Sequence, residues 1–337
     1  MRVAVIGLSM APGSFASAIT VAFGELGHET STHELRMLGE ARTRRLANVT
    51  RTARENMISR SPRAIRALYR ALLREIREAQ PDLILTTLGR VTREEVDSWR
   101  EVAPGARVVL WFPDALSNFG RQQAFGAGFD RIFVKDPFLV DWLRTRGNIH
   151  ELRYLAQAAP PDAIEWAAEN PIPQRSPAIA MVGNIYPTRV RFLDAVIDEL
   201  PIDIYGHLHN DAVPDQIVRR FTGRYLSGSD KYQVFRDAWG VLDNLHYAEV
   251  GGVNYRLFQA TACRGVVLID DLPQVRRYFE PGSEVITFTS PEDLVRTMTE
   301  ITDAELTAIG SAAHARTVRE HLMRHRVQEM LDDLELS

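Results

Sequence analysis

Three loops in the second half of this 337-residue chain place glycine next to polar or cationic side chains directly after a short apolar run. The first is Val182-Gly183-Asn184-Ile185-Tyr186-Pro187-Thr188-Arg189, leading into a helical pattern that also carries Arg191. Its glycine lets backbone approach a ligand closely and its arginines can neutralise a diphosphate. An ordinary strand-to-helix turn with surface arginines accounts for the same residues equally well. The second is Ile204-Tyr205-Gly206-His207-Leu208-His209. His-x-His without a third ligand of suitable spacing is weak as a metal site, so a neutral hydrogen-bond donor to phosphate or sugar is the better reading of His207. The third is Gly251-Gly252-Val253-Asn254-Tyr255-Arg256-Leu257-Phe258-Gln259-Ala260, a glycine pair opening an amphipathic helix. N–H groups at such a helix start attract anions, and the helix dipole can stabilise a pyrophosphate leaving group without a metal.

The first half offers fewer reactive groups. Asp114 follows the apolar run ending Trp111-Phe112-Pro113. Burial beside two aromatic rings would make it a stronger base for an acceptor's proton, with Trp111 and Phe112 lining a sugar or aglycone pocket. A helix cap or loop aspartate is the competing reading. The loop Gly7-Leu8-Ser9-Met10-Ala11-Pro12-Gly13-Ser14 can approach phosphates from the opposite wall, through Ser9, Gly13 and Ser14. It lacks the G-x-G-x-x-G fingerprint of a dinucleotide fold, and no P-loop motif occurs, which counts against NAD-dependent oxidoreductases and P-loop hydrolases. Between Arg36 and Arg77 lie twelve arginines, readable as a surface for an anionic acceptor or, more simply, as a solvated helix face.

The elements that must hold these groups are short. Apolar, β-branched runs at Val3–Gly7, Leu83–Thr87, Val108–Phe112 and Ile132–Val134 predict strands separated by helices. A second series predicts strands at Ile179–Val182, Ile202–Tyr205, Val241–Leu245, Val266–Ile269 and Val285–Phe288. Such alternation predicts parallel sheets with covering helices. Prolines 160, 161, 171, 173 and 177 mark 158–177 as a linker around a short helix at Ala163–Glu169, and helices alone are predicted from Asp303 to Leu336. The length also favours two domains. The expected division is 1–157, a first α/β domain; 158–177, linker; 178–310, a second α/β domain; and 311–337, C-terminal helices that can pack back on the first domain.

Hydrophobic residues make up 45% and charged residues 25%, as in ordinary globular proteins. A net charge of −4 argues against a dedicated nucleic-acid binder. Cys263 is the single cysteine, so an internal disulfide and a cysteine-based metal cluster are excluded. No membrane span and no secretory leader are expected, and a cytoplasmic location follows as the expectation.

The ordered set V-G-N-x-Y-P-x-R at 182–189, Y-G-H at 205–207, G-x-Y-L-S-G-S-D-K-Y at 223–232, G-V-N-Y-R-L-F-Q-A at 252–260 and E-P-G-S-E-V at 280–285 resembles the C-terminal half of CgeB-like (spore maturation protein) glycosyltransferases. Trp111-Phe112-Pro113-Asp114 is similar to a segment of that family's first half. The resemblance implies a GT-B fold, two Rossmann-like domains facing a central cleft. It implies transfer of a sugar from a UDP-, GDP- or dTDP-linked donor to a small-molecule, peptide or glycan acceptor, with no cofactor and no metal. Donor contacts would fall on Gly183, Asn184, Arg189, Gly206, His207, Gly252, Val253, Asn254, Arg256 and Gln259. Acceptor contacts would fall on Ser9, Gly13, Ser14, Trp111 and Phe112, with Asp114 as base. The family pattern has glutamate, suited to the donor ribose, where this chain has Gln259. An amide can still hydrogen-bond a diol. The departure also keeps open a degenerate protein that binds a nucleotide sugar or a partner without turnover.

Overall fold

A computed structural model describes residues 1–34, 69–116, 122–171, 175–207 and 213–337. The chain forms two compact units, one of Met1–Ala156 with Val327–Ser337 and one of Gln157–Arg326. The first contains β1 (Arg2–Gly7), α1 (Phe15–Glu25), β2 (Glu29–Glu34), α2 (Arg70–Ala79), β3 (Leu83–Thr86), α3 (Arg93–Val102), β4 (Arg107–Phe112), β5 (Arg131–Val134), α4 (Pro137–Arg146) and β6 (Leu152–Tyr154). Its six strands are parallel in the order β2-β1-β3-β4-β5-β6.

The second unit contains α5 (Pro161–Glu169), β7 (Ile179–Val182), α6 (Pro187–Asp194), β8 (Ile202–Tyr205), α7 (Asp215–Arg219), α8 (Gly228–Asp237), β9 (Gly240–Asp243), α9 (Tyr255–Ala262), β10 (Val267–Asp270), β11 (Ile286–Phe288), α10 (Pro291–Glu300) and α11 (Asp303–Glu320). The chain ends in α12 (Met323–Asp333). Its sheet, also parallel, runs β11-β10-β9-β7-β8.

Covering a parallel sheet on both faces explains why the inner strands read as unbroken apolar runs. Every residue of β3, β7 and β9 is buried. Each Val, Leu or Ile so buried contributes about 1.5–3 kcal/mol relative to exposure. Two helix starts are fixed by capping boxes, Thr92 with Glu95 on α3 and Thr302 with Glu305 on α11.

Two strands are not marked in the sequence. β2 reads ETSTHE and lies at an edge, where only His33 is buried; β6 has three residues. Neither has the apolar run on which strands were expected. The stretch from Ala158 to Pro171 is packed into the second unit. The Tyr232 hydroxyl on α8 donates to Asp162 at 2.9 Å, Arg264 Nη1 donates to Ala167 O at 2.6 Å, and Ala159 N donates to His321 O at 2.8 Å. Within the first unit, Asp333 takes Arg131 at 2.9 Å and Arg153 at 3.0 Å. The arginines at 36–66, together with Leu208 and His209, lie outside the described residues.

Candidate functional site

In a doubly wound sheet the two halves leave in opposite directions from one pair of strands, and ligands bind beyond the carboxyl ends at that switch point. In the second unit the pair is β7 and β9, since β8 lies beyond one and β10 and β11 beyond the other. Loops expected to carry donor contacts meet there. Gly183, ending β7, has φ 135°, and Gly206, ending β8, has φ 129°. A Cβ on Gly206 would run into the carbonyl of Gly183, and one on Gly183 would sit 2.6 Å from Arg256 Nη2. Both positions therefore require glycine for conformation and for space. Hydrogen bonds from Gly183 N to Tyr205 O (2.9 Å) and Ile185 N to His207 O (3.0 Å) hold the two loops side by side.

Arg189 ties the switch point together. Its Nη1 donates to Asn184 O at 2.8 Å and its Nη2 to Asn244 O at 2.9 Å, joining the loops after β7 and β9. The side chain is buried, and among the described residues its Nε has no partner. Burial first, and the Arg256 guanidinium next, push its pKa down to about 10, while Asp243 and Asp270 pull the other way; at neutral pH it is still a cation.

Asp243, the last residue of β9, is wholly buried. Its Oδ1 accepts from Arg256 Nη1 and from Asn254 Nδ2, both at 2.6 Å. Asn254 also caps α9, its Oδ1 accepting from Arg256 N at 2.9 Å. One strand over, Asp270 accepts from Leu245 N at 2.5 Å and Asn244 Nδ2 at 3.0 Å. Burial raises its pKa and the Asp243 carboxylate adds to that, against these two hydrogen bonds. Gly252 and Val253 are buried beneath the start of α9. Gln259 lies further along that helix, 4% exposed, its Oε1 accepting from Lys231 Nζ at 3.2 Å. At the rim, exposed His207 stacks on Tyr225 with ring centres 5.3 Å apart, and Tyr186 meets His246 at 5.5 Å.

The structure thus gathers the expected donor residues at one sheet edge, and it adds Asp243, Asn244, Asp270 and Lys231, which sequence reasoning missed. Aspartates closing two neighbouring strands, L-D-N at 242–244 and I-D at 269–270, were the available signal. Lys231 stands in the G-x-Y-L-S-G-S-D-K-Y segment, but its pairing with Gln259 could not be read because the two are near only in space. Chemically, the edge can hold an anion: Arg189 and Arg256 are set against Asp243 and Asp270 beside the positive end of α9, and Lys231 bonds only the neutral Gln259 amide among the described residues.

The first unit's strand ends are built differently. Ser14 caps α1, its Oγ accepting from Ser17 N (3.2 Å) and donating to Ser9 O (3.0 Å), while Ser9 Oγ accepts from Ala11 N (3.2 Å). Gly13, at φ 78°, completes this self-bonded turn. Trp111 is wholly buried edge-on to Phe15, ring centres 4.8 Å apart, and Phe112 is 7% exposed; both rings pack into the core. Asp114 is exposed, and its Oδ1 accepts from Ala115 N at 2.8 Å. The burial expected to sharpen it as a base is absent, although the next residue, Ala115, is buried. Among the described residues there is no His, Cys, Asp and Glu grouping that could hold a metal and no helix long and apolar enough to cross a membrane.

A protein-family model described as glycosyl transferase-like matches residues 189–332. A comparison with curated protein sequences gives no match. Among solved structures, the chain is similar to Anabaena HepE in complex with UDP and glucose. Identity there is 12% and TM-score 0.62, with 99% of each chain covered. It is similar to sucrose-phosphate synthase of Thermosynechococcus elongatus (12%, TM-score 0.60, 99% of this chain and 98% of that one). It is also similar to the N-terminal domain of Candida albicans trehalose-6-phosphate phosphatase (11%, TM-score 0.65, 100% and 97%). The fold is that of the GT-B glycosyltransferases, and the stretch similar to the glycosyl transferase-like model begins at Arg189 in the second unit.

Proposed function

We propose that the protein is a glycosyltransferase of the hexosyltransferase type, related to the CgeB-like group, that takes its sugar from a nucleoside-diphosphate donor held by the second unit. The observation that carries this reading is the switch point of the second sheet. Gly183 and Gly206, just beyond β7 and β8, let the two loops and the Arg256 guanidinium pack closely there, and Arg256 and the start of α9 supply positive charge. The match at 189–332 covers this edge from Arg189 onward, and HepE, of the same fold, is described in complex with UDP-glucose.

In this reading the diphosphate lies against α9 and Arg256, with Gly183, Asn184, Gly206 and His207 around it, and no metal is required. Arg189, already engaged by two carbonyls, positions the loops and adds its charge from below. The acceptor is a small molecule, peptide or glycan, held by the first unit near Ser9, Gly13 and Ser14, with Trp111 and Phe112 as the packed floor. An acceptor hydroxyl or amine attacks the anomeric carbon. The bond from that carbon to the diphosphate oxygen breaks, the diphosphate leaves with the electron pair, and in an inverting reaction Asp114 takes the acceptor's proton. The expected location is the cytoplasm.

Gln259 favours a second reading, a protein that binds the donor without turnover, because its amide replaces the carboxylate of the related pattern. Incubating the protein with UDP-glucose, GDP-mannose and dTDP-glucose and following release of the nucleoside diphosphate separates the two. Steady release from one donor supports the transferase. Saturable binding with no release, even with an acceptor mixture present, supports the binding protein. Neither binding nor release by a folded protein removes both.

A further inference from the structure

Lys231 lies in the opening turn of α8, partly buried, with its Nζ 3.2 Å from Gln259 Oε1. Among the described residues it makes no salt bridge, and its hydrogen-bond partner is a neutral amide oxygen. The other half of that amide, Gln259 Nε2, is buried and has no partner among the described residues. The titratable groups that act on the ammonium are Arg256 on α9, Cys263 just past the end of that helix and Asp162 on α5, the last already taken by the Tyr232 hydroxyl at 2.9 Å.

This arrangement is unfavourable as it stands. A cation in the first turn of a helix opposes that helix's dipole, a second cation, Arg256, lies nearby, and a buried amide N–H group without an acceptor costs free energy. Every one of these terms is relieved by a negatively charged oxygen. Had residue 259 been a glutamate, the chain itself would supply that oxygen. With glutamine there, a ligand must supply it.

We propose that Lys231 and Gln259 form an anion subsite that receives a phosphate oxygen of the bound nucleotide, Lys231 Nζ and Gln259 Nε2 both donating to it. The inference rests on the donor-site reading above, and deepens it by assigning the amide a phosphate. Burial, and then Arg256, lower the pKa of Lys231 to about 8, so its charge, and with it anion affinity, declines as pH rises through that value.

The test is isothermal titration of UDP, uridine and inorganic pyrophosphate into wild type, Lys231→Met, Lys231→Arg and Gln259→Glu, with melting curves to confirm that each is folded. GDP and dTDP are the alternates if either binds in place of UDP. The expected results for the nucleoside diphosphate are about tenfold or greater weakening in Lys231→Met and near-wild-type affinity in Lys231→Arg, as for loss and retention of a charge-assisted hydrogen bond. Between pH 7.2 and 8.8 wild type should weaken about fivefold and Lys231→Met should not, since a group of pKa near 8 titrates over that window. Uridine binding should be the same in all, which also controls for ionisation of the base. Gln259→Glu should weaken the diphosphate, because its carboxylate neutralises Lys231 internally.

Wild-type affinity in folded Lys231→Met would overturn the subsite. So would tighter diphosphate binding by Gln259→Glu, the result expected if residue 259 serves the ribose hydroxyls. If no nucleotide binds wild type, the donor-site reading falls. The subsite then stands only if pyrophosphate binds in a Lys231-dependent way, and falls if it does not.

Discussion

The two sheet edges share an architecture and differ in what closes it. Beyond the second sheet, the strand ends carry buried charge: Asp243 against Arg256, Asp270 against two donors, and Arg189 across two loops. Beyond the first, a serine-capped turn bonds to itself, Trp111 and Phe112 fill the core, and Asp114 faces solvent. Buried charge is costly to assemble, and its retention at one edge is what an anionic ligand would explain. An edge closed by local hydrogen bonds asks less of its ligand.

This contrast can be broken first by stability. Arg256→Met leaves the Asp243 carboxylate wholly buried without its salt-bridge partner, and should cost about 3–5 kcal/mol in urea unfolding. Trp111→Ala should cost about as much, 3–5 kcal/mol, through the cavity under α1. The two should separate in salt dependence, which only the charged site is expected to show. Gly206→Ala, at a positive φ and against the Gly183 carbonyl, should cost on the order of 1–3 kcal/mol and reduce nucleotide affinity.

The same contrast places acid lability in the second unit. His321 is buried, its Nε2–H donating to Tyr278 O at 2.8 Å while its Nδ1 accepts from Arg326 at 3.0 Å. Burial foremost, with Arg326 contributing, lowers its pKa to about 4. The unfolded chain therefore binds the proton more readily, and stability is lost as pH falls from about 6.5 toward 4, by up to about 3 kcal/mol. His321→Gln should flatten that limb of the pH–stability curve.

Smallest in stability is Asp114→Asn. A change at an exposed side chain should alter the unfolding free energy by less than about 0.5 kcal/mol. If it serves as the base, the same change should lower kcat about a hundredfold or more. Full turnover would confine Asp114 to its hydrogen bond with Ala115.

What was legible in the sequence follows the same division. Strands buried on both faces are apolar runs, and Ile179–Val182 and Ile202–Tyr205 were read to the residue. The polar edge strand β2 was not, since pairing to β1 and not its own pattern makes it a strand. Glycine loops were legible because a positive φ and the close approach of two loops need a residue without Cβ. The charge network was not, because Asp243 and Arg256 meet across thirteen positions and Lys231 and Gln259 across twenty-eight. Trp111 was misleading for a physical reason, since an aromatic residue near a strand end serves core and pocket rim equally well.

The most direct test of the central claim is calorimetric titration of UDP, GDP and dTDP into the wild-type protein in EDTA at pH 7.2, with Gly206→Ala alongside. The account predicts saturable binding of one of them without metal, a matching rise in melting temperature, and weaker binding by Gly206→Ala. A folded protein that binds none of the three at millimolar concentration would contradict it.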